Sequence, residues 1–247
     1  MVCPLIFLAG FIDAIAGGGG LLSLPAYLAA GLPAHLAAGT NKFVNGIGTF
    51  AASASFFRKG RIKLRPAVTA AVFSLLGSAA GTSLASLLPD SILKTVILFA
   101  LPFVAVFMIV NRRFGTETVS EKEPGLRREL LAAALIGFAM GCYDGIVGPG
   151  TGTFTILLFT GFLYMDLLTA SGCAKVSNLA SNVAAAVIWI KNGMVLWPLA
   201  VPAVICSVAG NLLGARFAIE GGGRRVRQML FVVLGLLFVK ILYDLIF

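Results

Sequence analysis

Gly10-Phe11-Ile12-Asp13-Ala14-Ile15-Ala16-Gly17-Gly18-Gly19-Gly20 is apolar except for one carboxylate and ends in a run of glycine. The pattern returns at an offset of 131 as Gly141-Cys142-Tyr143-Asp144-Gly145-Ile146-Val147-Gly148-Pro149-Gly150, with Gly10, Asp13, Ile15, Gly17 and Gly19 matched. Two residues are then gained, and an offset of 133 pairs Gly39 with Gly172, Lys42 with Lys175, Asn45 with Asn178, Gly60 with Gly193, Gly77 with Gly210 and Gly81 with Gly214. So many glycines and polar residues in one register indicate an internal duplication. Corresponding interrupted apolar segments in two halves point to a transporter site.

The rest of the composition sets the medium. Of 247 residues, 59% are hydrophobic and 12% charged, with a mean hydropathy of +0.98. A water-soluble domain carries about 25% charged residues, so this chain lacks the charge to clothe a surface in water. Apolar stretches of spanning length run over 35–57, 66–88, 91–111, 166–190, 195–219 and 228–247, which predicts six crossings. The stretches 1–32 and 130–164 are broken by Gly17-Gly18-Gly19-Gly20 and by Gly148-Pro149-Gly150-Thr151-Gly152. Each piece, about 12–15 residues, is too short to cross a hydrocarbon core of about 30 Å. Such pieces form helical hairpins or discontinuous helices, and lipid permits them only where protein or a water-filled cavity covers the free backbone.

Charge gives the orientation. The net charge of +9 lies in short clusters between apolar runs, as the positive-inside rule asks, and nucleic-acid binding is not indicated. Loop 58–65 holds Arg58, Lys59, Arg61, Lys63 and Arg65, whereas its mate near 191–194 holds only Lys191. Loop 220–227 holds Arg224, Arg225 and Arg227, whereas its mate near 89–94 has Asp90 and Lys94. Basic excess alternates between mates, as inverted repeats require. The expected fold is therefore an all-α integral membrane protein of two inverted repeats, each a Gly-broken re-entrant hairpin plus three transmembrane helices. Residues 1–111 form the first repeat, 112–129 a cytoplasmic linker with Arg112, Arg113, Lys122, Arg127 and Arg128, and 130–247 the second. The apolar N-terminus lacks the basic flank and cleavage site of a removable signal peptide.

A charge inside a span costs at least about 2.5–3.5 kcal/mol on insertion scales, so it marks function by default. Asp13, Lys42, Asp144 and Lys175 are four such charges, two per half at matched positions. The lysines stand about 10–14 Å inside their spans at the helical rise. Asn45 and Asn178 follow them by three residues and share their helix faces, and Asn41 and Asn182 extend those faces. Three readings are open. In one, each lysine pairs with an aspartate and locks hairpin to span. In another, the lysines, the asparagine amides and the half-helix N-termini at Gly18, Gly19, Gly20, Gly150, Thr151 and Gly152 bind an anion, with Asp13 and Asp144 as ion-pair or proton-coupling partners. In the third, Asp13 and Asp144 form a cation or proton pathway.

Other motifs carry less. Gly77-x-x-x-Gly81 and Gly210-x-x-x-Gly214 read as close helix packing. Trp189 and Trp197 read as interfacial anchors, His35 as a surface residue, and Cys3, Cys142, Cys173 and Cys206 as small core residues. No Walker A loop, metal-ligand spacing or nucleophile–base arrangement is present in the sequence, so no cofactor, metal or enzymatic reaction is expected.

The segment from Gly10 to Gly20, with Pro25 and Gly39-Thr40-Asn41-Lys42, resembles the sulfite exporter TauE/SafE (TSUP) family. Tyr143-Asp144-Gly145-Ile146-Val147-Gly148-Pro149-Gly150-Thr151-Gly152-Thr153-Phe154 and Ala174-Lys175-Val176-Ser177-Asn178-Leu179-Ala180-Ser181-Asn182 are similar to its YfcA-type branch. The resemblance implies a secondary carrier in a prokaryotic cytoplasmic membrane for small sulfur-containing anions such as sulfite, thiosulfate or organosulfonates. One departure is the start of the chain, where only 12 residues precede Asp13. Alternating access between the halves, with a proton as coupling ion, is the expected mechanism; a passive anion channel of the same architecture is the alternative. The expected partners are the anion and the lipid bilayer, and a homo-oligomer is compatible with both.

Overall fold

The computed structural model of the chain describes residues 2–97 and 125–246, with side chains described as far as 232 in the last helix. Every regular element among them is helical. The helices are α1 (Val2–Ala16), α2 (Gly20–Ala29), α3 (Ala34–Arg58), α4 (Leu64–Leu87), α5 (described over 90–97), α6 (Leu126–Ile146), α7 (Thr151–Leu163), α8 (Leu167–Lys191) and α9 (Trp197–Ile246). Most of the expected linker and of the 91–111 span lies outside the described residues, as do the side chains of 233–247.

Glycine ends the half-helices where the pattern predicted. Between α1 and α2, Gly17 turns at φ 73°, and between α6 and α7, Gly148 and Gly150 turn at φ 89° and 81°. Side chains with a Cβ rarely adopt these angles. A second constraint adds to the first. A Cβ at Gly17 would overlap the backbone of Gly152, so the two breaks touch each other across the halves.

Four helices are long and apolar enough to cross a membrane: Leu64–Leu87, Leu126–Ile146, Leu167–Lys191 and the first part of α9, Trp197–Val232. The expected crossing 35–57 is present as the 25-residue α3 but falls outside that set. Asn41, Lys42, Asn45 and a series of Gly, Ser and Thr dilute its hydropathy, and its buried face does not need to be apolar. At its N-terminus α6 begins at Leu126, four residues before the expected segment, because Arg127, Arg128 and Glu129 continue the helix on exposed or half-buried positions.

The expected loop 220–227 is a break in a helix. Helical backbone runs from Trp197 through this region, and only Gly222 (φ 63°, ψ −162°) leaves helical geometry. Arg225 makes the short break workable: its guanidinium donates to the Phe217 carbonyl at 3.1 Å and lies 4.3 Å over the Phe217 ring.

Small residues let the helices approach and fix their directions. Gly137, Gly141 and Gly145 of α6 lie on Ala70, Ser74 and Ser78 of α4 in that order, so α4 and α6 run parallel. Phe7 and Phe11 of α1 meet Gly210 and Gly214 of α9 in the same sense, so α1 and α9 are parallel too. Gly77 and Gly81 likewise sit on the backbone of Phe138 and Cys142, which is the close packing expected of both Gly-x-x-x-Gly motifs. The turn after α3 closes over the start of α8, where Arg61 meets Gly172 and the Lys63 N–H reaches Cys173 Sγ at 3.3 Å. The turn after α8 closes over the start of α3, where Met194 meets Gly39 and the Leu196 N–H donates to Thr40 at 3.0 Å.

The distribution of polarity is the reverse of a soluble protein's. Phe50, Leu131, Leu135 and Ile205 are more than 60% exposed, while Lys42, Lys175, Asp13 and Asp144 are buried. Two positions depart from expectation. Trp189 is buried, edge-on to His35 at 5.5 Å, because the turn at Met194 folds over it; only Trp197 is exposed. His35 is half-buried, with Nδ1 2.9 Å from Asp90 Oδ1.

Candidate functional site

The four buried charges meet as two ion pairs, and both pairs cross between the halves. Lys42 of α3 reaches Asp144 of α6 at 2.7 Å, and Lys175 of α8 reaches Asp13 of α1 at 2.7 Å. The equal distances follow the repeat register. The second oxygen of each aspartate is engaged as well: Asp13 Oδ1 accepts the Gly19 N–H at 3.3 Å, and Asp144 Oδ2 accepts the Ser181 hydroxyl at 2.5 Å. Charges taken out of water are tolerable only when paired and hydrogen-bonded in this way.

Around these pairs lies a small polar cavity, walled by Asp13, Gly17, Gly20, Asn41, Lys42, Asn45, Asp144, Gly148, Asn178 and Asn182. The wall draws on both glycine breaks and on both lysine helices. Asn45 Nδ2 donates to Asn41 Oδ1 at 3.1 Å, one turn apart on α3. Asn182 Nδ2 donates to the Asn178 carbonyl at 2.8 Å and also meets the Asn178 side-chain oxygen. Carboxylates, ammonium and amides leave the cavity with both donors and acceptors and no net charge from the two pairs.

The expected site residues divide between the wall and its support. Lys42, the four asparagines, both aspartates and Gly20 line the cavity, whereas Lys175 is fully buried behind Asp13. Gly18, Gly19, Gly150, Thr151 and Gly152 are not in the wall. Gly19 spends its N–H on Asp13, Thr151 donates to the Gly148 carbonyl at 2.7 Å, Gly150 caps α7 in the left-handed region, and Gly152 packs on Gly17. Gly17 and Gly148, which stand first in their breaks at matched positions, line the cavity although they are not among the expected site residues. Nothing in the sequence marks Ser181, since a serine in a helix is ordinary; only the folded contact with Asp144 distinguishes it. Among the described residues no His, Cys, Asp and Glu side chains gather in a group that could hold a metal ion.

The family model for the sulfite exporter TauE/SafE matches residues 2–241. The chain belongs to this family. A probable membrane transporter protein of Haemophilus influenzae is 34% identical over 238 residues, covering 96% of this chain and 92% of that protein. The probable membrane transporter protein ORF9 of Sinorhizobium sp is 33% identical over 238 residues, covering 96% and 90%. The probable membrane transporter protein YfcA of Escherichia coli K12 is 30% identical over 252 residues, covering 99% and 92%. No solved structure matches the chain. With its apolar helices, this TauE/SafE member is a multi-pass membrane protein and a membrane transporter.

Proposed function

We propose that the chain is a secondary carrier that moves small sulfur-containing anions, such as sulfite, thiosulfate or an organosulfonate, across a prokaryotic cytoplasmic membrane by alternating access. The observation that carries this reading is the Lys42–Asp144 pair, which joins the two halves in the wall of a polar cavity where both glycine breaks meet. An anion entering the cavity competes with Asp144 for the Lys42 ammonium, and the asparagine amides donate to its oxygens. The two pairs are neutral together, so a bound anion leaves excess negative charge in low dielectric. A proton taken up by Asp144 or Asp13 restores neutrality, which is the basis for proton coupling. The sulfur-containing substrate class rests on the family alone.

The helix directions support inverted repeats. They put the starts of α4, α6 and α8 at one face and those of α1, α3 and α9 at the other, so matched elements begin at opposite faces. The α1–α2 and α6–α7 segments then each enter and return at their own face. An alternating-access carrier uses such a relation, with the site fixed where the repeats meet.

Sulfite flux into proteoliposomes tests the reading. Lys42→Ala is expected to lower saturable flux at least about tenfold, the loss that about 1.4 kcal/mol of transition-state interaction would give. Unchanged flux would remove the site. Trans-stimulation by internal sulfite separates a carrier from a passive anion channel, which shows none.

A further inference from the structure

The face of α3 that carries Lys42 continues past the cavity as a line of polar groups. Asn45, Thr49 and Ser53 follow at helical spacing, and Phe56 ends the line. Thr49 and Ser53 are buried, yet neither hydroxyl has a hydrogen-bond partner among the described residues. A helical hydroxyl ordinarily bonds the carbonyl one turn back, as Ser55 does with Ala51 at 3.0 Å. Thr49 and Ser53 forgo that bond and face inward. Buried hydroxyls without partners are costly and call for water or a ligand.

Phe56 is fully buried at the end of this line, with its ring against Gly172 at the start of α8 and the turn at Arg61 above it. Its repeat mate, at the offset of 133, is Trp189. Trp189 is buried in the same way against Gly39 at the start of α3, with the turn at Met194 above it. Each aromatic therefore stands about 21 Å along its helix from the lysine, two residues before the helix ends. Beside Trp189 the line is less polar, since Ala186 replaces Ser53.

We infer that Asn45, Thr49 and Ser53 line a hydrated path for the anion from the cavity to the face of loop 58–65, that Phe56 is the gate closing it, and that Trp189 is the matching gate at the opposite face. This rests on the carrier reading, with its two faces and central site, and names the parts that open in turn.

The test is labelling by an impermeant methanethiosulfonate bearing a sulfonate, applied to membrane vesicles from the loop 58–65 face. Ser53→Cys and, as a buried reference on the neighbouring helix α4, Ala67→Cys are made in a background with the four native cysteines replaced. Ser53→Cys is expected to label faster than Ala67→Cys. Adding Phe56→Ala should raise the Ser53→Cys rate about tenfold, equivalent to about 1.4 kcal/mol of lost closure. Adding Trp189→Ala should leave it unchanged from this face. Ser53→Cys labelling no faster than Ala67→Cys, even with Phe56→Ala, overturns the path. An equal rise with Trp189→Ala and Phe56→Ala means general loosening and overturns the gate. Labelling needs no transported substrate, so a failure here is distinct from absent sulfite flux, which would instead count against the carrier reading.

Discussion

A lysine buried among apolar helices invites two readings, a lock or a binding group, and the 2.7 Å pairing of Lys42 with Asp144 makes both chemically available. They separate when stability and flux are measured on the same variants. Lys42→Met or Asp144→Asn alone leaves a buried partner without its counterpart, and each is expected to cost about 3–5 kcal/mol of stability. The double variant removes both partners and should regain most of that loss in thermal unfolding in detergent, while sulfite flux stays lowered at least about tenfold. Flux near that of the unsubstituted protein in the double variant would reduce the pair to a lock. The residues of this chemistry were legible because a charge is rare in so apolar a chain. Their partners were not, since nothing in the sequence says that Lys42 reaches Asp144 in the other half and not Asp13 in its own.

At the scale of elements, α3 and α8 are repeat mates that begin differently. Asp166 caps α8 from its own N-cap position, accepting the N–H groups of Leu168 and Thr169 at 3.1 and 3.0 Å. In α3 the corresponding residue is Pro33, and the cap comes from Asp90, which accepts the N–H groups of Ala34 and His35 at 3.1 and 2.9 Å. Asp90 is thus bound to the start of a helix far away in sequence. Burial raises its carboxyl, but the backbone N–H groups of His35 and Ala34 and the His35 ring outweigh that and hold it below 3.8. A lowered carboxylate value stabilises the fold above the ordinary value and loses that contribution as pH falls through the lowered one. Asp90→Ala is therefore expected to cost about 1 kcal/mol near neutral pH, as loss of a helix cap does. The difference in melting temperature between the variant and the parent should shrink as pH falls below 3.8. A difference that stays constant would show that Asp90 acts only by packing. The end points of α1, α2, α6 and α7 were readable from their glycines; this borrowed cap was not, because an aspartate 55 residues from His35 carries no local signature.

For the whole molecule, the duplication and the opposed loop charges give a topology that can be probed without a substrate. Lys59→Cys and Arg224→Cys, both at exposed positions, are expected to react with an impermeant maleimide only from the cytoplasmic side, and the exposed Asn192→Cys only from the other. Labelling of all three from one side would rule out inverted repeats. The sequence by itself determined the all-helical membrane character, the repeat register and the positions of both breaks, because hydropathy, charge and glycine act locally along the chain. Only the tertiary structure decided that the ion pairs cross between halves, that Gly17 and Gly152 touch, that Trp189 lies buried instead of at an interface, and that Lys42 faces the cavity while Lys175 stands behind Asp13. Those outcomes depend on which helix faces are pressed together, and in a bilayer that choice is made by close approach of small residues and by pairing of buried polar groups, neither of which a hydrophobic pattern records.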